Sequence, residues 1–415
     1  MMISASLYEA NGGLAPWWFD TGLEWSKGVV YPRGIEQRFR EYHLDRVFPS
    51  LSALTEASQR LQFEALKFEI ENMRSHASLQ GYVITELTDV HWESNGLLDM
   101  YRNPKIYYSQ MKNLNAEDVL IPNRERWVYS AGESCNIKIL VSHYSAAEIK
   151  EAVLKWEVLC DGLVGSSGQL PVGACPPFRI TELGAVRFEA PDVERPTAAR
   201  LELKLFSGER LIAFNELEFY VFPEHALSEE GQPLFSPQLR APLEQMGYSI
   251  TEDLSRAGMA IVTVLDDSLR EFVLRGGRAL LLAESDESLK MYIPGLKIEE
   301  REDTPWQGDW TSSFGWHRFD KLPTGRVVNF AFAGLTPEHV LLNFHPRDFA
   351  FDVYAGMFIG WLHKPVPTIA RRRAGRGEVL VSTFRLSRNL ETNPLARYLF
   401  AELMALLKFP GALPA

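Results

Sequence analysis

Apolar and polar residues follow three successive patterns along the chain, and the first is helical. In residues 54–76, LTEASQRLQFEALKFEIENMRSH, apolar side chains recur at intervals close to one helical turn, which predicts an amphipathic helix. A short polar link leads from this helix into YVITEL, residues 82–87, which predicts a strand. A helix followed closely by a strand is typical of repeating β/α units.

The second pattern covers residues 112–225 and is all-β. In KWEVLC and RLELKLF apolar and polar residues alternate, which marks strands with one face in a core and one in water. The linkers DGLVGSSGQLPVG and APDVERPT are rich in Gly, Pro, Ser and Asp and therefore predict turns. Short strands at this spacing predict an immunoglobulin-like β-sandwich.

The third pattern covers residues 226–415. GMAIVTVL and RALLLAE are continuous apolar runs, and DDSLREFVLRGG between them has the pattern of a helix that ends on glycine. Buried strands that alternate with amphipathic helices predict a doubly wound α/β domain with a parallel sheet. The expected fold class is therefore multidomain α/β plus all-β, with domains at 1–111, 112–225 and 226–415.

The stretch EFVLRGGRALLLAE is similar to class I glutamine amidotransferase-like and flavodoxin-like domains. For an amidotransferase the resemblance implies a Cys nucleophile activated by a His. No cysteine follows Cys175, and the sequence contains neither a GxSxG elbow nor a phosphate-binding glycine motif. The third domain is therefore predicted to be non-catalytic.

The charge of the chain narrows the choice of partners. Its 415 residues carry a formal net charge of −11, which disfavours nucleic acid because phosphate binding requires a basic face. The one dense basic run, at residues 371–376, is interpreted as a solvated loop.

The cysteines and the hydropathy of the chain indicate which cofactors and which cellular location to expect. Three cysteines without CxxC spacing indicate neither a disulfide framework nor a zinc site, so no metal and no cofactor are expected. No apolar run reaches membrane-spanning length, and MMISASLYEA lacks the features of a signal peptide. We therefore expect no membrane partner and a cytoplasmic location.

Polar chemistry is concentrated in residues 81–105, GYVITELTDVHWESNGLLDMYRNPK. Glu86, Asp89, His91 and Trp92 come at the end of the predicted strand or directly after it. In a (β/α)₈ barrel, functional residues lie at the carboxyl ends of the strands, which favours a site here. The alternative is that these polar residues only cap the turn that follows the strand.

This stretch resembles the last barrel strand of glycoside hydrolase family 2, which contains β-galactosidases, β-mannosidases and β-glucuronidases. The family pattern Trp-Gln-Leu-Asn-Asp corresponds to residues 85–89, and its Asp-Tyr-x-x-x-Pro-Lys ending corresponds to residues 99–105. The resemblance implies a partial (β/α)₈ barrel, a β-glycoside as partner, and retaining chemistry by two carboxylates about 5–5.5 Å apart. Thr85 replaces the sugar-stacking Trp of many members, so Trp92 is the expected platform.

The resemblance also implies the roles of individual residues. Glu9, in ISASLYEANGG, is the candidate nucleophile at the end of a seventh strand, and the alternative is that Glu9 is a surface residue. Glu86, Asp89, His91 and Trp92 are implied substrate contacts, and so are two residues of the aromatic stretch WWFDTGLEWSKGVVYPRG, Glu24 and Trp25.

The length of the first region argues against a complete barrel. About 80 residues precede YVITEL, whereas a full barrel needs on the order of 250. The general acid of the fourth strand is therefore expected to be missing, the barrel to be truncated, and this chain alone to be inactive.

Two functions follow from these patterns. The first is a family 2-like protein of carbohydrate metabolism with retaining β-glycosidase chemistry in a full-length context. The second is a non-catalytic carbohydrate-binding or structural subunit that uses Trp92, the cluster Trp17, Trp18 and Trp25, and the Trp-rich loop 304–320. Because a partial barrel leaves open sheet edges, a barrel-completing partner chain or a homo-oligomer is expected.

Overall fold

The structure is a computed structural model that describes residues 34–90, 94–224, 231–301, 313–359 and 362–408. It is a mixed α/β protein with a large share of β-sheet. Its helices are α1 (Ile35–Glu41), α2 (Leu51–Arg74), α3 (Tyr108–Leu114), α4 (Arg240–Gln245), α5 (Asp267–Leu274) and α6 (Pro394–Lys408).

The strands fall into two groups along the chain. The first group is β1 (Asp118–Asn123), β2 (Val128–Ser130), β3 (Ser134–His143), β4 (Ala152–Cys160), β5 (Leu163–Val172), β6 (Arg179–Glu189), β7 (Thr197–Ser207) and β8 (Arg210–Phe222). The second is β9 (Leu234–Phe235), β10 (Ile250–Thr251), β11 (Met259–Val262), β12 (Arg278–Leu282), β13 (Lys297–Glu300), β14 (Ser313–His317), β15 (His339–Leu342), β16 (Val353–Ile359), β17 (His363–Ala374) and β18 (Gly377–Ser382).

The chain forms two compact units that do not follow its linear order. Among the described residues, one unit contains 55–224, and the other contains 34–54 together with the residues from 231 on. The border near residue 54 lies inside helix α2. The division into domains 1–111, 112–225 and 226–415 stays a prediction. The structure groups residues 55–111 with the strands that follow them in one compact unit.

The unit formed by 55–224 contains two sheets that bury one common core. The strand orders are β1-β3-β6 and β2-β8-β7-β4-β5. Alternate residues of both sheets point into this core, such as Ile137 and Ile139 of β3 and Leu201 and Leu203 of β7. The predicted alternation is confirmed for RLELKLF of β7, whose buried residues alternate with more exposed ones. The immunoglobulin-like topology itself stays a prediction.

One predicted turn in this unit is wrong. DGLVGSSGQLPVG contains β5, which pairs along its length with β4 at the edge of the sheet. Backbone hydrogen bonds hold this strand, so its poor side-chain propensity does not prevent it. A Cβ at Gly168 would lie 2.6 Å from the Trp156 ring, so the glycine makes room for that ring on the neighbouring strand.

The other unit is built on an eight-stranded sheet in the order β10-β9-β11-β12-β18-β17-β16-β14. The strands from β10 to β18 in this order are parallel, as predicted for this region, and the remaining three are antiparallel. Strands β11 and β18 are buried along their whole length, which explains their continuous apolar sequence.

The basic run at 371–376 is not a solvated loop, because its first residues belong to β17. Arg371 is ion-paired with Asp352 at 3.3 Å, and Arg372 with Asp348 at 3.0 Å. The guanidinium of Arg372 also lies 3.5 Å from the centre of the Phe344 ring. These acidic and aromatic partners come from other parts of the fold, so a local reading of the run did not reveal them.

Candidate functional site

The structure describes two of the predicted site residues. Glu86 and Asp89 lie in the described part of the chain. The other predicted site residues are outside the described ranges: Glu9, Glu24, Trp25, His91 and Trp92. Their roles remain predictions, and the geometry below concerns the segment that carries Glu86 and Asp89.

The predicted barrel strand at 82–87 is not formed within the described residues. The segment does alternate: Tyr82 and Ile84 pack against the cluster of α2 and α3, whereas Val83 is 91% exposed and Leu87 66% exposed. Its backbone, however, joins no sheet, and the described residues from 34 to 117 contain no strand. One apolar face is enough to hold this segment against the helices. The sequence pattern therefore predicted correctly which side chains of this segment are packed inward. The pairing of the segment in a sheet, which the pattern also predicted, is not formed in the described residues.

A loop folds back on the end of this segment. Leu97 N donates to Glu86 O at 3.2 Å, and Leu98 N donates to Leu87 O at 2.9 Å. Close approach of the two backbones requires Gly96, because a Cβ there would lie 2.5 Å from Asp89 N. These contacts place residues 94–98 directly against residues 86–89.

Lys105 lies at the centre of this fold-back. Its ammonium forms an ion pair with Asp89 Oδ1 at 3.0 Å and donates to Ser94 O at 2.9 Å and to Gln62 Oε1 at 3.2 Å. Asp89 Oδ1 also accepts a hydrogen bond from Gly96 N at 2.9 Å. Both side chains of the ion pair are buried. One lysine therefore joins helix α2, the segment end and the loop.

A second carboxylate shapes the exit of the loop. Asp99 Oδ1 accepts hydrogen bonds from Tyr101 N at 2.8 Å and from Asn103 N at 2.7 Å. Asn103 Nδ2 donates to Asp99 Oδ2 at 2.8 Å. The Asp99 side chain thus holds the tight turn at residues 99–103, within the second half of the motif, as Asp side chains commonly do in turns.

The electrostatics of this region are dominated by burial. Desolvation lowers the pKa of Lys105, and the opposing negative charges of Asp89, Asp99 and Glu86 partly restore it. Burial also raises the pKa of Tyr107, whose ring stacks on Phe63. Of these three carboxylates, Asp89 forms the ion pair with the buried ammonium.

This geometry changes the role of Asp89. The residue was predicted to contact substrate, but it is 2% exposed and is engaged by Lys105 and by the backbone of Gly96. Asp89 can position the loop and cannot reach a ligand in this arrangement. Glu86 is half-buried and thus less buried than Asp89 and Asp99, although its Oε1 atom is itself buried.

Metal or thiol chemistry has no support in the described part of the chain. No three His, Cys, Asp or Glu residues there are grouped closely enough to hold a metal ion. Cys135, Cys160 and Cys175 are free thiols, and burial raises the pKa of each, that of Cys135 to about 12. Raised thiol pKa values are typical of structural cysteines.

The Trp-rich loop at 304–320 is described only from residue 313 on. Trp316 lies on β14 and is fully buried, with its ring near Phe349 at a centroid distance of 6.4 Å. This tryptophan belongs to a core, so it cannot serve as a sugar platform. Trp306 and Trp310 lie outside the described residues.

Sequence reasoning missed a polar cluster on the other end of α2. Glu71 is ion-paired with Lys67 and, at 3.2 Å, with Arg124. Asn215 of β8 donates to Glu71 Oε1 at 2.7 Å. The only signal in the sequence was the i, i+4 spacing of Lys67 and Glu71, which is common on solvated helix faces.

Comparisons with known proteins give a limited picture. A family described as a domain of unknown function (DUF8488) matches residues 133–223, which correspond to β3–β8. No curated protein matches the chain. No helix in the described ranges has the length and apolar character needed to cross a membrane.

Solved structures match only over parts of the chain. The exo-chitosanase CsxA of Amycolatopsis orientalis is 14% identical with a TM-score of 0.31, and the match covers 44% of this chain and 20% of that one. The sporulation control protein Spo0M of Bacillus subtilis is 15% identical with a TM-score of 0.20, covering 32% of this chain and 56% of that one. This chain thus spans about a fifth of the exo-chitosanase. Similarity at these identities and TM-scores assigns no activity to this chain. None of these matches supports an amidotransferase-like domain.

Proposed function

We propose that this chain is a carbohydrate-binding protein of the glycoside hydrolase family 2 type, with its sugar site formed around residues 81–105. One observation carries the proposal. The two halves of the family-like pattern are joined in the fold, because Asp89 of the first half and Lys105 of the second form a buried ion pair. A pattern that only capped a turn would not need a buried charge pair between its ends, since burying charges is costly.

The same ion pair supports a role for the residues between its anchors. His91 and Trp92 lie in sequence between Asp89 and Ser94, and both of these anchors contact Lys105. We assign Trp92 to stacking on a sugar ring, and His91 to a polar contact.

Glu86 is proposed as the carboxylate that binds a sugar hydroxyl from the described part of the site. Retaining hydrolysis needs a second catalytic carboxylate at close range. Two of the three carboxylates here, Asp89 and Asp99, already accept hydrogen bonds from backbone N–H groups of the loop. Hydrolysis would therefore depend on Glu9 as nucleophile, with Glu24 and Trp25 as further contacts. The non-catalytic alternative needs only the binding residues.

The test measures binding and turnover separately on the full chain. Binding is followed by saturation-transfer NMR with p-nitrophenyl β-galactoside, β-mannoside, β-glucuronide and β-glucosaminide, and turnover by nitrophenol release. We expect at least one of these to bind, and Trp92→Ala and Glu86→Gln to weaken binding by about tenfold or more. The matched control is Glu182→Gln, an exposed glutamate of β6 that should leave binding unchanged.

The outcomes separate the two functions. Turnover that is abolished by Glu9→Gln supports the hydrolase, and binding without turnover supports the non-catalytic protein. The carbohydrate proposal fails if none of the four glycosides binds, or if Glu86→Gln and Trp92→Ala bind as tightly as the unchanged chain.

A further inference from the structure

Residues 80–85 show the alternating burial of a strand but belong to no sheet among the described residues, and we call these residues the open edge. Within the described ranges, the backbone N–H and C=O groups of the open edge make no hydrogen bond, and the first bond follows at Glu86 O. Burial alternates along it, with Tyr82 and Ile84 facing inward and Val83 and Thr85 facing solvent. This period of two is that of a strand with one face covered.

Nothing in the sequence of the open edge protects it from pairing. Residues 79–85, LQGYVIT, contain no charged residue and no proline. Exposed edges in natural proteins are usually blunted by lysine, proline or a bulge. The edge strand β5 illustrates the difference, since it contains Pro171 and two glycines. An edge that lacks these features is suited to pairing with another strand.

Exposed apolar side chains are frequent in the sequence on either side of the open edge. Of the thirteen large exposed apolar residues in the described part of the chain, six fall between 79 and 108: Leu79, Val83, Leu87, Tyr101, Ile106 and Tyr108. Their exposure ranges from 44% at Ile106 to 91% at Val83. Large apolar side chains that are exposed near one another commonly mark an interaction site.

We propose that the open edge pairs antiparallel with the open edge of a second copy of this chain, about a two-fold axis. In such an isologous contact the same residues meet on both sides, so the surface must be self-complementary. The open edge meets this condition because it has no charge, and no like charges are brought together. Each copy would gain backbone hydrogen bonds and cover Val83, the most exposed valine of the described ranges.

A charge at the centre of the edge tests the proposal. Sedimentation velocity of the full chain between roughly 1 and 100 µM should show a concentration-dependent dimer. Val83→Lys should raise the dimer dissociation constant by about tenfold or more, because two ammonium groups then meet across the axis. The matched control is Val164→Lys, since Val164 is also an exposed valine on an edge segment, of β5.

Mixing distinguishes edge pairing from an indirect effect. An equimolar mixture of the Val83→Lys and Val83→Glu chains should recover the dimer, because opposite charges then face each other. Amide hydrogen exchange of residues 80–85 should slow as the concentration of the unchanged chain rises. The proposal is overturned if the unchanged chain is monomeric throughout this range. It is also overturned if Val83→Lys and Val164→Lys alter association equally, or if amides 80–85 are already protected in a monomer.

Discussion

Asn215 and Glu71 are 144 residues apart in sequence, and the side-chain amide of the first donates to the carboxylate of the second at 2.7 Å. The contact joins strand β8 to helix α2. The same amide nitrogen also donates to Leu120 O at 2.6 Å, so one asparagine links the helix to both sheets. The buried carboxylate of Glu71 is also paired with two cations, Lys67 of the same helix and Arg124 directly after β1, which makes it a sensitive point of the fold.

Removal of the Glu71 charge should destabilise the unit formed by 55–224. Glu71→Gln leaves the buried ammonium of Lys67 and the guanidinium of Arg124 without their carboxylate, which we expect to cost about 3–5 kcal/mol. Urea unfolding followed by circular dichroism measures the loss. Glu69→Gln on the exposed face of the same helix is the control and should change little. Equal stability of the two variants would contradict this account.

Removal of one partner of the buried Asp89–Lys105 ion pair should destabilise the fold more than removal of both partners. Lys105→Met alone leaves Asp89 buried without its cation and should destabilise the fold by about 3–5 kcal/mol. The double change Asp89→Asn with Lys105→Met removes both charges and should recover part of that loss. Thermal unfolding measures both variants. If the double variant is less stable than Lys105→Met alone, Lys105 does not act by compensating the buried charge of Asp89.

Gly96 should not tolerate a side chain. Gly96→Ala places a Cβ 2.5 Å from the backbone of Thr88 and Asp89, which cannot move without breaking the fold-back. We expect a loss of about 1–3 kcal/mol, the usual cost of overpacking. Gly81→Ala on the same stretch is the matched control, because a Cβ there meets nothing within 4 Å. Indistinguishable midpoints of unfolding for the two alanine variants would show that the close approach is not needed.

His317 should make the stability of the other unit depend on pH. Burial, with the nearby positive charge of Arg326, lowers the pKa of His317 to about 3, and its ring lies 2.8 Å from Thr324 Oγ1. The unfolded chain binds a proton near the ordinary histidine value and the folded chain does not. Stability should therefore fall as the pH drops from about 6.5 toward 3, by at most about 1.4 kcal/mol per pH unit.

The measurement compares urea midpoints of the unchanged chain and His317→Gln across this pH range. The variant should be less stable at pH 7, and the difference should shrink on acidification, because glutamine cannot be protonated. A difference that stays constant between pH 7 and pH 4 would refute a neutral buried imidazole.

Several elements were predictable from the sequence because their residues carry the whole signal. The alternation of RLELKLF marks β7, and the apolar periodicity of residues 54–76 marks α2 (Leu51–Arg74). Continuous apolar runs likewise identified β11 and β12, since a strand covered on both faces has no polar side. In each case local pattern and final burial agree.

The candidate site was only partly predictable. The sequence located the polar stretch at 81–105 and its resemblance to a sugar-cleaving family, but it could not show that Lys105 consumes Asp89. That pairing depends on a loop that folds back over Gly96, and a pattern read along one strand does not contain it. The clearest candidate contact therefore shifted from Asp89 to Glu86.

The sequence by itself determined which segments are helical, which strands have one wet face, and where polar chemistry is concentrated. The tertiary structure decided whether an extended segment finds a neighbour. YVITEL and GSSGQLPV show this, because the first has the better strand sequence and joins no sheet in the described residues, whereas the second pairs with β4. Side-chain pattern fixes which face is buried, but backbone pairing requires a partner strand at hydrogen-bonding distance, and that partner comes from elsewhere in the fold.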